Sequence, residues 1–169
     1  LRLLITTGPG NVAIDVGAAR RNGVVVCGTG IKVAPTAELS WGLILALLRK
    51  IPAEDAAMRD GGWQNTIGGD LAGSTLGLLG FGRLGRRMAT VAQAFEMEVL
   101  AWSQNLDPEE ARAGGVEPVA KEALFARADI VSVHYKLSER SRGLVGAAEL
   151  AAMKPSAYLV NTSRGPLVD

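Results

Sequence analysis

One cysteine, Cys27, stands in 169 residues. No disulfide can therefore form within the chain, and a reducing compartment suits it. Cys27 follows Val24, Val25 and Val26, a setting that predicts a buried thiol on a strand. Histidine is equally scarce, with His134 alone; without a cluster of Cys and His, no zinc site is expected. Aromatic residues make up 5% of the chain, too few for a surface that stacks nucleic-acid bases. Lys and Arg number 18 against 17 Asp and Glu, so no charge excess points to a nucleic acid or an anionic membrane. The longest apolar run, residues 43–48, is far below the ~20 residues of a bilayer span, and no secretory signal is visible. A G-x-S-x-G elbow for acyl transfer is missing too. These absences predict a cytoplasmic protein without metal, nucleic-acid or membrane partners.

Glycine, by contrast, occurs 21 times, and Gly80, Gly82 and Gly85 form a G-x-G-x-x-G. Before it, Leu76, Leu78 and Leu79 read as a buried strand. After it, Leu84, Met88, Val91, Ala92 and Phe95 recur at i, i+4, i+7, i+8 and i+11, one face of a helix. In a strand–turn–helix, Gly80 permits the tight turn. Gly82 lets the backbone approach a pyrophosphate, and Gly85 lets the helix pack closely on the strand. The phosphates would meet free N–H groups at a helix N-terminus, where the dipole favours negative charge. The competing reading is an incidental glycine turn between two core elements.

Strands and helices alternate around this motif. Residues 3–5 read as a strand. Asp15 caps a short helix running to Arg21, with Gly23 after it, and residues 24–27 form a second strand. Residues 34–51 predict one helix, opened near Pro35 and stopped by Pro52. Its middle is apolar nearly all round, which predicts burial on more than one side: between domains, against another subunit, or in a core. A glycine-rich loop with Trp63 follows. Strands are expected at 76–79, 97–102, 116–119, 129–134 and 157–161. Helices are expected at 83–95, from Asp107 and Pro108 onward, and at 121–127 and 147–153. This alternation predicts an α/β fold with a doubly wound parallel sheet.

Three positions test the chemistry. An acidic residue that holds the adenosine ribose sits roughly 20 residues past the glycines in NAD-binding versions of this motif. Ser103 stands there instead, in Trp102-Ser103-Gln104-Asn105. Serine does not repel a 2′-phosphate, and no arginine stands beside it in sequence to attract one, so both NAD and NADP stay open. Arg164 follows the strand at 157–161 and so lies at the carboxyl edge of the sheet, where open α/β sheets place ligands. An arginine there can grip a carboxylate with two parallel bonds and polarise the adjacent carbonyl; a surface arginine in a turn is the plainer reading. His134 also ends a strand and could face the cofactor, but no neighbouring carboxylate orients it for proton transfer, and a structural or cofactor-adjacent role is expected.

Taken together, the motifs resemble the D-isomer-specific 2-hydroxyacid dehydrogenases. The resemblance rests on Thr7-Gly8-Pro9-Gly10 with Ile14-Asp15, on Pro35 to Leu39 before an apolar helix, and on Gly62-Trp63. It continues through Leu76 to Gly85, Met153-Lys154-Pro155, and Val160 to Asp169. It implies an oxidoreductase that passes hydride between NAD or NADP and a small D-2-hydroxy or 2-keto acid, with a dinucleotide-binding co-repressor module as the alternative. Residues 1–33 would be the last part of a flavodoxin-like substrate-domain segment. Residues 34–169 would be a Rossmann dinucleotide domain whose opening helix helps to make a homodimer. The Gly8, Pro9 and Gly10 loop would offer N–H groups to the substrate carboxylate. Arg83 and Leu84 would meet the pyrophosphate, Thr162 and Ser163 would lie near the nicotinamide ribose, and Arg164 would be catalytic. In the family the acid–base histidine and its glutamate lie downstream of that arginine, and His134 matches a different, strand-end histidine. Lys136 stands where many relatives have proline. The chain opens without Met and closes just after a loop motif, so an internal piece of a longer protein is expected.

Overall fold

Asp15 opens the first helix as its capping chemistry dictates, its Oδ1 accepting from the Ala18 N–H at 2.7 Å. That helix, α1 (Val16–Arg21), joins two strands, β1 (Leu3–Thr6) and β2 (Val25–Gly28). The strands pair in parallel, Leu3 opposite Val25 and Thr6 opposite Gly28. The computed structural model describes residues 1–169, in two compact units, Leu1–Val33 and Ala34–Asp169. The β1–α1–β2 crossover is the first unit. Cys27 corrects the reading of a buried thiol: it is exposed. A sheet of two strands lacks a second covering layer, and no residue of β2 is fully buried.

The second unit begins with α2 (Ala34–Leu48) and α3 (Ile51–Arg59). A single helix over 34–51 is therefore incorrect. The chain breaks at Lys50, whose φ of 57° is left-handed, and Pro52 lies in the first turn of α3. Proline fits there because the first-turn N–H has no helical partner to lose. Within the chain, α2 is covered on one side. Ala37, Ser40, Trp41, Ile44 and Leu48 face inward, whereas Leu39, Leu43 and Leu47 are 58%, 41% and 40% exposed.

Five parallel strands follow: β3 (Thr75–Leu79), β4 (Glu98–Trp102), β5 (Glu117–Pro118), β6 (Ile130–Val133) and β7 (Tyr158–Asn161). Their spatial order is β5-β4-β3-β6-β7. The helices between them are α4 (Arg83–Ala94), α5 (Pro108–Ala113), α6 (Lys121–Arg127) and α7 (Ala147–Ala152). All of β3 is buried, as expected for a central strand covered on both faces. Successive side chains serve opposite layers. Leu76, Leu78 and Ile130 pack with Trp41, Met88 and Ala92. Leu79, Val131 and Val133 pack with Leu124, Phe125 and Leu167. This is the doubly wound parallel sheet that the alternation predicts. At its amino edge, Asp129 accepts from the Thr75 N–H at 2.9 Å and from Lys154 Nζ at 2.7 Å. Burial opposes ionisation there, but these bonds and the Lys154 charge hold the carboxyl below its ordinary range.

Candidate functional site

The strands end in register. Leu79 lies opposite both Trp102 and Val133, and Val133 lies opposite Asn161. Gly80, Ser103, His134 and Thr162 are therefore the first residues beyond four adjacent strands, all on the carboxyl edge. Strand order reverses at β3, whose neighbours are β4 on one side and β6 on the other. Such a switch point opens a crevice.

Gly80 sits in this crevice at φ 106°, and a Cβ there would collide with the His134 carbonyl oxygen. Its N–H donates to the Trp102 carbonyl at 2.8 Å, and the His134 N–H donates to that of Leu79 at 2.8 Å. A Cβ on Gly85 would strike the Gly80 carbonyl oxygen, so α4 packs directly on the turn. Gly82 is different: it caps α4 in extended backbone, and a Cβ there would meet nothing within 4 Å. No side chain caps α4, and the N–H groups of Arg83, Leu84 and Gly85 have no partner within the chain. Helix dipole and unpaired amides together suit an anion. Arg86 is taken, its guanidinium 2.7 Å from Glu110 and 4.8 Å from the centre of the Phe81 ring. Arg83, one turn earlier, has no ion pair.

The segment after β7 is knotted by its own side chains. Asn161 Oδ1 accepts from the Ser163 N–H at 2.9 Å, and Asn161 Nδ2 donates to the Arg164 carbonyl at 2.9 Å. Ser163 Oγ donates to the Val133 carbonyl of the neighbouring strand at 2.8 Å. Thr162 Oγ1 lies 2.7 Å from Ser40 Oγ in α2. Arg164 stands exposed at the end of this knot, with only the Ser163 carbonyl bonded to its guanidinium, at 2.7 Å.

In the first unit, Gly8 has a φ of 86°. Its N–H donates to Thr29 Oγ1 at 2.8 Å, while the Thr29 N–H donates to its carbonyl at 2.8 Å. Pro9 has no N–H. Of the loop Gly8, Pro9 and Gly10, only Gly10 keeps an amide free for a ligand, with that of Asn11 beside it.

These features have known counterparts. The family described as D-isomer specific 2-hydroxyacid dehydrogenase, NAD binding domain, matches residues 41–169. The chain belongs to this family. Along its whole length it is 36% identical to a glyoxylate reductase of Thermococcus litoralis, of which it covers 54%. It superposes with a TM-score of 0.95 on a phosphoglycerate oxidoreductase from Vibrio cholerae at 37% identity, covering 100% of this chain and 55% of that one. A D-lactate dehydrogenase from Aquifex aeolicus, complexed with NAD and lactic acid, gives a TM-score of 0.83 at 25% identity, covering 100% of this chain and 52% of that one. The chain thus spans about half the length of these relatives.

An NAD-binding domain of this dehydrogenase family needs a bare backbone turn and free amides. The cradle at Gly80, Gly82 and Gly85 supplies both. Elsewhere on the edge the structure adds what sequence proximity hid. Ser103 lines a cleft that also contains Arg112, so an arginine does reach its surroundings; Arg112 is engaged, however, by Glu109 at 2.5 Å. His134 Nε2 pairs with Ser132 Oγ at 2.9 Å, and Nδ1 is buried without a partner. Burial pushes its pKa down to about 4, so the ring is neutral near pH 7 and is a poor proton donor. Tyr135, which sequence reasoning passed over, stacks on Trp102 with ring centres 6.0 Å apart. Nor did any sequence signal single out Ser40, a small residue in an apolar helix. No helix is long and apolar enough to cross a membrane.

Proposed function

We propose that the protein containing this chain is an oxidoreductase acting on a small D-2-hydroxy acid or its 2-keto counterpart with a nicotinamide cofactor. The observation that carries this reading is the convergence of the bare glycine turn, the unpaired first-turn amides of α4 and Arg164 on one sheet edge. Residues 34–169 are then the dinucleotide domain, and residues 1–33 are part of a flavodoxin-like substrate domain.

Under this reading the amides of Arg83, Leu84 and Gly85 hold the pyrophosphate, with the Arg83 cation beside them. Gly80 and Gly82 keep the approach clear. Ser103 faces the adenosine ribose, and as a neutral group it accepts NAD or NADP. Thr162 and Ser163, locked by Ser40 and the Val133 carbonyl, border the nicotinamide ribose. Arg164 clamps the substrate carboxylate and stabilises charge on the 2-oxygen. In the first unit, taken by itself, the Gly10 and Asn11 amides are free to meet a carboxylate. The chemistry that a nicotinamide would supply when bound at the sheet edge is hydride transfer. Proton transfer belongs to the histidine–glutamate pair that the family resemblance implies, and not to His134.

Leu39, Leu43 and Leu47 form an exposed apolar stripe on α2, and Trp63 and Ile67 are exposed beyond it at 75% and 95%. A stripe of this kind marks an association surface, and we assign it to a homodimer. The lone thiol fits a cytoplasmic setting.

The test is a titration of the full-length protein with NADH and NADPH, followed by fluorescence, and then assays with glyoxylate, hydroxypyruvate and pyruvate. Saturable binding with reduction of at least one acid is expected. Failure to bind either nucleotide would remove the reading.

A further inference from the structure

We propose that Lys136 and Arg140 hold the adenosine 2′-phosphate of the cofactor and make the protein prefer NADP. This rests on the nicotinamide reading above and sharpens it.

The two residues line a cleft of about 270 Å³ between the end of β4 and the segment after β6. One wall is the Trp102–Tyr135 stack, and the Tyr135 hydroxyl accepts from the Gln104 N–H at 3.4 Å, which ties the two strand ends together. The cleft thus adjoins Ser103, where the ribose end of a dinucleotide is expected. Its lining contains no carboxylate.

Charge decides which anion fits. Three cations near these clefts are already paired. Lys121 pairs with Glu149 at 2.7 Å, Arg142 with Glu139 at 3.4 Å and Arg112 with Glu109 at 2.5 Å. Lys136 and Arg140 make no ion pair and are both exposed. The arginine sharing the Ser103 cleft is therefore paired, and of the two clefts beside Trp102 only the one lined by Lys136 and Arg140 carries cations without an ion pair. With no acidic residue at position 103, nothing there repels a phosphate or competes for the 2′-oxygen.

The two cations also stand on a fixed support. Ser141 is 2% exposed. Its Oγ donates to the Lys136 carbonyl at 2.8 Å and accepts from the Ser138 N–H at 2.7 Å. This buried hydroxyl clamps residues 136–141 before any ligand arrives, so little ordering cost is left for binding. A lysine and an arginine offer a phosphate one point charge and one planar fork.

The experiment uses the full-length protein. NADPH and NADH are titrated by fluorescence, and 2′,5′-ADP, 5′-AMP and inorganic phosphate by calorimetry. NADPH is expected to bind at least about tenfold tighter than NADH, and 2′,5′-ADP tighter than 5′-AMP by a similar factor, the scale of one charged contact. K136A and R140A should each reduce both preferences about tenfold, and circular dichroism should stay unchanged because both side chains are exposed. Equal or tighter binding of NADH would overturn the proposal while leaving the cofactor reading intact. So would variants that weaken NADH and NADPH equally, or inorganic phosphate competing as well as 2′,5′-ADP. Failure of both nucleotides to bind would sink the cofactor reading, and this proposal with it.

Discussion

Ser40 in α2 and Thr162 beyond β7 are 122 residues apart in sequence, yet their hydroxyl oxygens lie 2.7 Å from each other. Ser40 is fully buried and also donates to the Thr36 carbonyl at 2.8 Å. The helix that carries the exposed leucine stripe is thereby tied to the segment that presents Arg164. Removing either hydroxyl leaves the other underpaired, which costs ~1–3 kcal/mol. Ser40→Ala and Thr162→Val should each lower stability to urea. Their double variant should fall short of additivity by ~0.5–1.5 kcal/mol, because both remove one bond. Strict additivity would mean that the pair is not coupled.

The glycines of the turn should separate by role. Gly80→Ala forces a Cβ into the His134 carbonyl at φ 106° and should cost more than ~2 kcal/mol or prevent folding. Gly82→Ala adds a methyl in open space with extended backbone. Its stability should change by less than ~1 kcal/mol, while NADH and NADPH affinity falls by roughly tenfold or more as the methyl blocks the pyrophosphate. Thermal melts beside nucleotide titrations distinguish the two.

Arg164 is bonded only to its neighbour's carbonyl, so Arg164→Ala should leave the melting temperature nearly unchanged. In the full-length protein kcat/KM for a 2-keto acid should drop by ~10²-fold or more, with KM rising and kcat falling together. Arg164→Lys should recover only part, since lysine cannot form the two-point clamp. Unchanged steady-state kinetics would take Arg164 out of the mechanism.

His134 gives stability a pH dependence of known sign. Unfolded, the ring takes a proton near pH 6.5; folded, burial delays this to about 4. Between those values the unfolded chain binds more protons, so acidification costs stability, up to about 3 kcal/mol at the low end. Asp129 loses its own contribution only below its ordinary value of 3.8, outside this window. Urea unfolding at stepped pH should show the slope in the wild type and a flatter curve in His134→Gln. Parallel curves would assign the slope to other groups.

The leucine stripe predicts oligomeric state. Leu43→Glu with Leu47→Glu places charge on side chains that are 41% and 40% exposed, so the fold should tolerate both. Light scattering of the full-length protein should then report half the wild-type mass. An unchanged mass would move the dimer contact elsewhere.

Neighbouring residues alone determined much of this protein. Turn geometry at Gly80, the amphipathic face of α4, the Asp15 and Asp107 caps and the alternation of strands all follow from spacings of a few positions. Those local rules sufficed for the parallel sheet and for placing Ser103, Thr162, Ser163 and Arg164 at one edge. Other features came only with tertiary packing, since each depends on what lies across space. Apolarity marked residues 34–51 as helix but not the break at Lys50, nor that Leu39, Leu43 and Leu47 would be left uncovered. Three valines made Cys27 look buried, yet a two-stranded sheet had no layer to cover it. The Ser40–Thr162 bond and the Trp102–Tyr135 wall join side chains brought together by the folded backbone. Sequence periodicity reports which face a residue occupies; only the assembled layers decide whether anything packs against that face and which charges remain unpaired.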